Sequence, residues 1–267
     1  MNARSLPLGL ATALVALFGL VALAAPLLAP HAINDVVGPG WQAPTATAWL
    51  GTDMIGRDVL SRLVWSTRTT LALAGAATLI SVGGGVVLGL LAALWSGWIE
   101  AVLSRLVDLL LSIPTLIFVL LLVAILPRQP VWLVAAVALV EITRVYRLSR
   151  LLAAEIATRE FVDAARMRGE TRIWIALNEI LPNCWRVLLS EAALRFCFAI
   201  LLLSTISFLG LGIQPPSTDW GTLIQENKDG MLFGAWAALV PGAAIAVLSL
   251  SMGVLADAIA DHGDRHG

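Results

Sequence analysis

Long apolar stretches, separated by polar segments, dominate the pattern of this chain. A helix needs about 20 residues, at a rise of about 1.5 Å each, to cross a bilayer. Six stretches reach or approach that length, at residues 8–28, 70–95, 102–126, 131–146, 187–211 and 234–259. They do not alternate polar and apolar residues, as the strands of a membrane barrel do. The pattern therefore predicts an all-α, polytopic membrane protein with about six transmembrane helices.

The composition agrees with lipid as the surrounding medium. Of the 267 residues, 59% are hydrophobic and 13% are charged, whereas an ordinary soluble domain has about 25% charged residues. A soluble fold of this size could not keep so much apolar surface away from water. The formal net charge of −1 provides no basic field for nucleic acid. We expect Cys184 and Cys197 to pack as small apolar residues rather than form a disulfide framework.

The first apolar stretch has two interpretations. Arg4, followed by an apolar run that includes Ala24 and Ala25, has features of a signal peptide. The run over 8–28 is longer than the usual core of a signal peptide and nearly spans a bilayer. We therefore expect residues 1–30 to hold an uncleaved first transmembrane helix after a short cytoplasmic N-terminus.

Positive charge is concentrated between the fourth and fifth apolar stretches. Eight of the 17 basic residues fall within 144–186, and basic loops stay in the cytoplasm. Counting helices outward from this segment places both termini inside. The expected organisation is an external segment with an amphipathic helix over 31–69, a transmembrane core over 70–258 and a cytoplasmic tail over 259–267.

Two pairs of opposite charge fall within the predicted spans. Arg105 and Asp108 are three residues apart, and Glu191 and Arg195 are four apart, so each pair shares one helical face. An unpaired charge in the middle of a bilayer is unfavourable by at least about 2.5–3.5 kcal/mol, so such groups face protein or water. The pairs are predicted either to border a substrate path or to be structural pairs near helix ends.

Glycines and a proline mark further features of the spans. Gly83, Gly84, Gly85 and Gly89 are predicted to let the second helix pack closely against a neighbour, because small residues allow backbones to approach in lipid. Pro114 is predicted to kink the third helix, since its ring removes one helical hydrogen bond.

The polar segment over 151–186 is predicted to form two short amphipathic helices. The first is expected over about 153–168 and the second over about 171–180, where Pro182 should end it. Gly169 between them can adopt the left-handed conformation that terminates a helix. The segment holds no nucleophile, metal cluster or base. Residue chemistry leaves two interpretations open, namely docking into a groove of a soluble partner and lying on the lipid surface.

A motif in this segment has the features of a known family. It has Asp-Ala-Ala at 163–165, glycine at 169 and Leu-Pro at 181–182, and this order and spacing resemble the EAA loop of ABC-importer permeases. Aspartate replaces the usual glutamate at the first position, Glu179 replaces an isoleucine, and Arg144 stands where relatives commonly have a small residue. The resemblance implies that the residues coupling the chain to ATPase subunits are Glu160, Asp163, Ala164, Ala165, Arg166, Gly169, Trp174, Leu181 and Pro182.

Two further motifs narrow the family. Gly-Thr-Asp-x-x-Gly-Arg-Asp over 51–58 resembles the signature of dipeptide, oligopeptide and nickel permeases, and 207–221 is similar to the end of their fifth helix. The resemblance covers about 45–258 and is to the C-type subunit. We expect a small helix over 51–62, capped by Asp53 or Asp58, with charges that shape a docking surface or gate or act structurally. The signature residues are Gly51, Thr52, Asp53, Gly56, Arg57 and Asp58.

The resemblance implies a type I ABC importer permease fold and a place in the bacterial inner membrane. The chain would form half of a translocation path for di- or oligopeptides. Its implied partners are a homologous second permease, two ATPase subunits at the cytoplasmic loop and an external solute-binding protein. The alternatives are the same role for nickel or another metal chelate, and an ATP-independent secondary transporter or channel.

The chain is not expected to be an enzyme. It has no Gly-x-x-x-x-Gly-Lys-Ser/Thr phosphate-binding loop. ATP and Mg²⁺ would therefore bind to the partner ATPases, and the chain is predicted to hold no cofactor or metal of its own.

Overall fold

The protein is all-helical over the residues that the computed structural model describes, which are 5–95 and 97–264. The all-α prediction is confirmed for these residues, and two isolated β-bridges are the only extended pairings among them. A π-helical turn covers Ala176–Ile180 and a 3-10 turn covers Lys228–Phe233. The helices are α1 (Ser5–Leu23), α2 (Ala25–Leu28), α3 (Val59–Leu94), α4 (Trp98–Ser112), α5 (Thr115–Ile125), α6 (Pro130–Ile156), α7 (Glu160–Met167), α8 (Arg172–Ile175), α9 (Leu181–Phe208), α10 (Trp220–Asn227) and α11 (Leu239–Asp264).

Three helices in the described part of the chain are long and apolar enough to cross a membrane. They are Val59–Leu94, Arg172–Phe208 and Leu239–Asp261. Helices α4 and α5 are long and apolar enough only when they are taken together. They are bent by 92° relative to each other, so they count as a fourth span only if both belong to one membrane crossing. Helix α1 is apolar but shorter, and α6 is not among the spans. The structure thus supports up to four of the six predicted transmembrane helices. That α1 and α6 cross the membrane stays a prediction.

The break between α4 and α5 occurs at Pro114. Ile113 before it is extended, with φ −93° and ψ 131°, and Pro114 itself precedes the first residue of α5. Proline disfavours helical conformation in the preceding residue and lacks the amide proton that would continue the helix. The kink expected in the third stretch is therefore a full break.

The core forms where α3, α5, α6, α9, α10 and α11 meet. Val119 of α5, Val137 of α6, Ile200 of α9 and Trp220 of α10 are all completely buried there. The Trp220 amide donates to the Thr70 hydroxyl at 3.1 Å, which ties α10 to α3. Helix α6 is packed between other helices in this core. The charged residues that interrupt its apolar pattern can therefore face protein rather than lipid.

Close packing of α3 on α6 depends on glycine, as the sequence predicts. A Cβ atom added at Gly85 would lie 2.5 Å from the Val145 Cβ, and one at Gly89 would lie 2.6 Å from the Ser149 Cβ. Gly83 differs, since nothing lies within 4 Å of the corresponding point. Gly84, Gly85 and Gly89 therefore face α6, and Gly83 does not.

The small helix predicted over 51–62 is not present as a separate element. The segment from Gly51 to Asp58 is non-helical, with positive φ values of 77° at Gly51 and 88° at Gly56. Helix α3 begins at Val59, and the Asp58 carboxylate caps it by accepting from the Ser61 amide at 3.0 Å. The helical part of the predicted segment is thus the first turn of a long helix.

The polar segment before α9 also differs from the prediction. Helix α6 continues to Ile156, so the first predicted helix is divided, and only α7 stands alone. Gly169 has φ +82°, the left-handed conformation expected of it. Pro182 does not end a helix, because α8, the π-helical turn and α9 form one helix from Arg172 to Phe208.

A π-helical turn lies just before Pro182, where the helix continues. Proline donates no amide hydrogen, so it leaves a backbone carbonyl one turn earlier without its usual partner. The wider turn at Ala176–Ile180 changes the register just before Pro182. The Asn183 side chain also donates to the Glu179 carbonyl of this turn, at 2.6 Å.

Replacing Gly85 by alanine tests the α3–α6 contact. We expect Gly85→Ala to lower the free energy of unfolding by about 1–3 kcal/mol, because the added methyl group overpacks against Val145. Thermal unfolding of the detergent-solubilised protein measures this change. Gly83→Ala is the matched control and should be neutral or stabilising by up to about 1 kcal/mol. Equal effects of the two variants would contradict the glycine-mediated contact.

Candidate functional site

The first candidate site is the loop formed by α7 and α8. Its inner face is anchored in an apolar cluster at the ends of α3, α6 and α9, where Val162, Ala165, Ile175 and Ile180 are almost completely buried. The Thr171 hydroxyl accepts from the Trp174 amide at 3.2 Å and caps α8. The loop therefore has a defined structure that is packed against the helix ends.

The outer face of this loop presents apolar side chains to solvent. Met167 is 89% exposed and Ile173 is 62% exposed. The surrounding charged side chains have partners within the loop. Arg166 donates to the Asp163 carboxylate at 2.8 Å, and the Arg168 guanidinium lies 5.9 Å from the centre of the Trp174 ring. We call Met167, Ile173, Leu177 and Phe161, all exposed apolar residues of this loop, the loop ridge.

The structure separates the predicted coupling residues into two groups. One group is exposed and available to a partner, and it comprises Glu160, Asp163, Ala164, Arg166 and Pro182. The other group supports the loop: Ala165 is buried, Gly169 forms the turn, and Trp174 and Leu181 are partly buried. The ridge residues were not among the predicted site residues, although the apolar positions of the amphipathic pattern would have identified them.

The second candidate site is the signature segment before α3. The Asp53 carboxylate is 1% exposed and binds both Arg57, at 2.6 Å, and Arg62, at 2.7 Å. Both arginines also bind the Glu226 carboxylate of α10, at 2.9 Å and 2.6 Å. The Asn227 side chain accepts from the Met54 amide at 3.1 Å. This four-charge network clamps the segment onto α10.

The remaining signature residues support the same clamp. The Thr52 hydroxyl donates to the Pro39 carbonyl at 2.6 Å and accepts from the Gln42 amide at 2.8 Å. Gly51 and Gly56 supply the two left-handed turns, and Asp58 caps α3. Sequence reasoning missed Glu226 because its contacts are between residues more than 160 positions apart, and only its charge gave a signal.

Asp219 fixes the other end of α10. Its carboxylate accepts from the Thr222 amide at 2.8 Å and from the Ser207 hydroxyl at 2.6 Å. Burial raises the pKa of Asp219 above its usual range, and the two hydrogen bonds oppose that shift. Helix α10 is thus joined to α9 at its start and to the signature segment at its end.

The third candidate site is a charge cluster within the helices, which we call the Glu141 cluster. Glu141 is 1% exposed. One of its oxygens accepts from Arg144 at 2.7 Å and the other accepts from Arg195 of α9 at 2.6 Å. Arg195 also forms the predicted ion pair with Glu191, at 2.8 Å. The cluster is therefore an alternating row of Arg144, Glu141, Arg195 and Glu191.

The other predicted pair, Arg105 with Asp108, is corrected. Asp108 binds Arg147 of α6 at 2.5 Å, and both side chains are 54% exposed. A spacing of three residues allows a pair within one helix, but an arginine on a neighbouring helix reaches this carboxylate instead. No ion pair of Arg105 occurs among the described residues. Glu141, which the sequence analysis left out of the site, is the residue that joins α6 to α9.

An open groove of about 260 Å³ lies beside the Glu141 cluster. Its polar lining residues are Glu141, Arg144, Thr115 and Thr205. Arg144 donates to the Thr115 hydroxyl at 3.0 Å. The rest of the lining is apolar and comprises Leu116, Phe198, Leu201 and Leu202.

Comparison with known proteins identifies the family. Residues 85–266 match the family of binding-protein-dependent transport system inner membrane components. The chain is 33% identical to the di/tripeptide transport system permease protein DppC of Pseudomonas aeruginosa, over 90% of this chain and 82% of the relative. It is 31% identical to the dipeptide transport system permease protein DppC of Haemophilus influenzae, over 92% and 86%. It is also 31% identical to the glutathione transport system permease protein GsiD of Pectobacterium atrosepticum, over 82% and 73%.

These matches define the class of the protein, which is a membrane-embedded permease of a binding-protein-dependent importer. The chain belongs to the family of inner membrane components of such transport systems. The predicted resemblance to ABC-importer permeases is thereby confirmed.

Substituting the two arginines of the signature clamp tests its structural role. Arg62 is 3% exposed and Arg57 is 13% exposed. We expect Arg62→Met to lower the free energy of unfolding by up to about 3–5 kcal/mol, because it removes a buried partner of Asp53. Arg57→Met should have a smaller effect, since water screens its charges better. Thermal unfolding in detergent measures both, and an Arg57→Met effect as large as that of Arg62→Met would contradict this ranking.

Proposed function

We propose that the chain is one of two homologous permease subunits of an ATP-driven importer of di- or oligopeptides. The relatives compared above are described as permeases for dipeptides, di/tripeptides and glutathione, which favours peptides over nickel or another metal chelate. Family membership also argues against an ATP-independent transporter or channel. A solute-binding protein would deliver the peptide at the outer face of the inner membrane.

The exposed loop ridge is the observation that carries the coupling role. Its apolar side chains project from a loop whose opposite face is packed against the helix ends. Such a surface is suited to a groove on a soluble subunit, because docking removes apolar area from water while the flanking charges remain solvated. We assign that subunit as an ATPase, of which two would bind ATP and Mg²⁺ and act on the permease pair.

This assignment also sets the topology. If the loop lies in the cytoplasm, the signature clamp and α10 lie towards the outside, and both termini lie inside. In this proposal the chain itself performs no catalysis, because the ATPase subunits would hydrolyse the ATP. ATP-dependent closure of the ATPases changes the permease conformation only if the loop ridge binds them differently in the two states.

Gly169 provides a test of the loop's geometry. Proline cannot adopt the φ of +82° found at Gly169, and it also removes the amide that donates to the Arg166 carbonyl at 3.0 Å. We expect Gly169→Pro to reduce peptide uptake by cells at least about tenfold, with normal amounts of protein in the membrane. Gly169→Asn is the matched control, because asparagine tolerates the left-handed conformation, and it should retain most uptake. Normal uptake by Gly169→Pro would contradict the coupling role.

The loop ridge can be tested by introducing charge. We expect the double variant Met167→Asp/Ile173→Asp to weaken co-purification of the ATPase subunits by about tenfold or more, because two carboxylates would be buried against an apolar groove. Both side chains are exposed, so folding should be preserved. Leu232→Asp, at an 86% exposed position near α10, is the control and should leave co-purification unchanged. Unchanged binding by the double variant would exclude the ridge as the docking surface.

A further inference from the structure

We infer that Arg144, in the groove beside the Glu141 cluster, binds the carboxylate of the solute during its passage. This inference rests on the proposed function, because it takes a peptide or another carboxylate-bearing solute as the cargo. It goes further in assigning a contact residue and the part of the cargo that is recognised.

With α6 taken as a membrane span, as the sequence predicts, the groove lies inside the hydrocarbon core, about two-thirds of the way across it from the Pro130 end of α6. Arg144 is about 20 Å along α6 from Pro130, and Arg195 is about 20 Å along α9 from Phe208. Those two helix ends are neighbours, because residues adjoining both line one pocket. A hydrocarbon core is about 30 Å thick. A charged side chain at this depth must face protein or water rather than lipid, so this face belongs to a subunit contact or to an aqueous path.

The charge that the groove presents is positive. The Arg144 side chain is 36% exposed, whereas the side chain of Glu141 is only 2% exposed. Both Glu141 oxygens are already hydrogen-bonded, one to Arg144 and one to Arg195. A solute in the groove therefore meets the guanidinium and not the carboxylate, which favours an anionic group over an ammonium group.

Arg144 retains the donors that a carboxylate needs. A guanidinium carries five N–H groups, and the described contacts of Arg144 use one on Glu141 and one on Thr115. The Phe198 ring lies 5.9 Å from the guanidinium carbon and supports one face of it. The remaining N–H groups can form the paired hydrogen bonds that arginine makes with carboxylates.

The attachment of Arg144 to Glu141 suits passage rather than tight binding. The adjacent negative charge offsets part of the attraction to an incoming anion, so the solute can leave again. A conduction path requires binding that is strong enough for entry and weak enough for release. An isolated arginine at this depth would hold an anion more strongly and would also lack a counter-charge.

Uptake of radiolabelled dialanine by the complete transporter in proteoliposomes tests the inference. With saturating binding protein, we expect Arg144→Gln to reduce uptake by about ten- to hundredfold, the range for a lost hydrogen bond to a charged group. ATP hydrolysis stimulated by the loaded binding protein should persist, and Arg144→Lys should retain part of the uptake. Arg147→Gln, on the same helix, is the control and should transport normally, because Arg147 does not line the groove and its ion pair is with Asp108 of α4.

A double variant separates solute binding from simple charge neutralisation. In Glu141→Gln/Arg144→Gln the cluster has no unpaired charge, since Arg195 keeps Glu191. If Arg144 binds the solute, uptake by the double variant stays low. Restored uptake would overturn the inference and make Arg144 a counter-ion only. Normal uptake by Arg144→Gln would overturn it as well, and so would loss of the second permease from the Arg144→Gln complex, which would place Arg144 in the subunit contact.

The same assay distinguishes this inference from the proposed function. A wild-type complex that hydrolyses ATP but takes up neither dialanine nor longer alanine peptides would contradict peptide import and the inference together. Normal wild-type uptake with an unaffected Arg144→Gln variant would contradict the inference alone.

Discussion

One uninterrupted helix connects the surface of this protein to its charged interior. It runs over 37 residues from Arg172 to Phe208, a length of about 55 Å, which exceeds the roughly 30 Å of a hydrocarbon core. One end carries part of the loop ridge, and Arg195 and Phe198 lie further along the same helix. Because a helix satisfies its own backbone hydrogen bonds in lipid, it can continue from the loop to the level of the Glu141 cluster without a non-helical break.

Neighbouring helices hold the long helix in place through contacts at two levels. Helix α6 is held on α3 through the close approach at Gly85 and Gly89. It contributes Glu141 to the salt bridge with Arg195, so the contact between α6 and α9 is ionic at the level of the groove. At the other end of α9, Asp219 and the signature clamp join α10 to α9 and α3. The long helix is therefore fixed to its neighbours at two levels, by charge inside and by the clamp at the end.

Sequence reasoning succeeded where a local rule determines the structure. Apolar length identified the long spans, the left-handed preference of glycine identified the turn at Gly169, and small residues identified the face that packs on α6. It failed where distant residues decide the outcome. Pro182 stays within a helix, just after a π-helical turn, Asp108 pairs with Arg147 from another helix, and Glu226 completes a clamp whose other members precede it by more than 160 residues.

Accessibility of the loop ridge in cells tests the central claim most directly. In a chain carrying Cys184→Ala, Cys197→Ala and Ile173→Cys, the exposed position 173 would be treated with a membrane-impermeant thiol reagent. The account predicts no labelling in intact cells, labelling in inverted membrane vesicles without ATPase subunits, and protection when those subunits are bound. Labelling of position 173 from outside intact cells would reverse the topology and contradict the assignment of this loop as the ATPase-binding element.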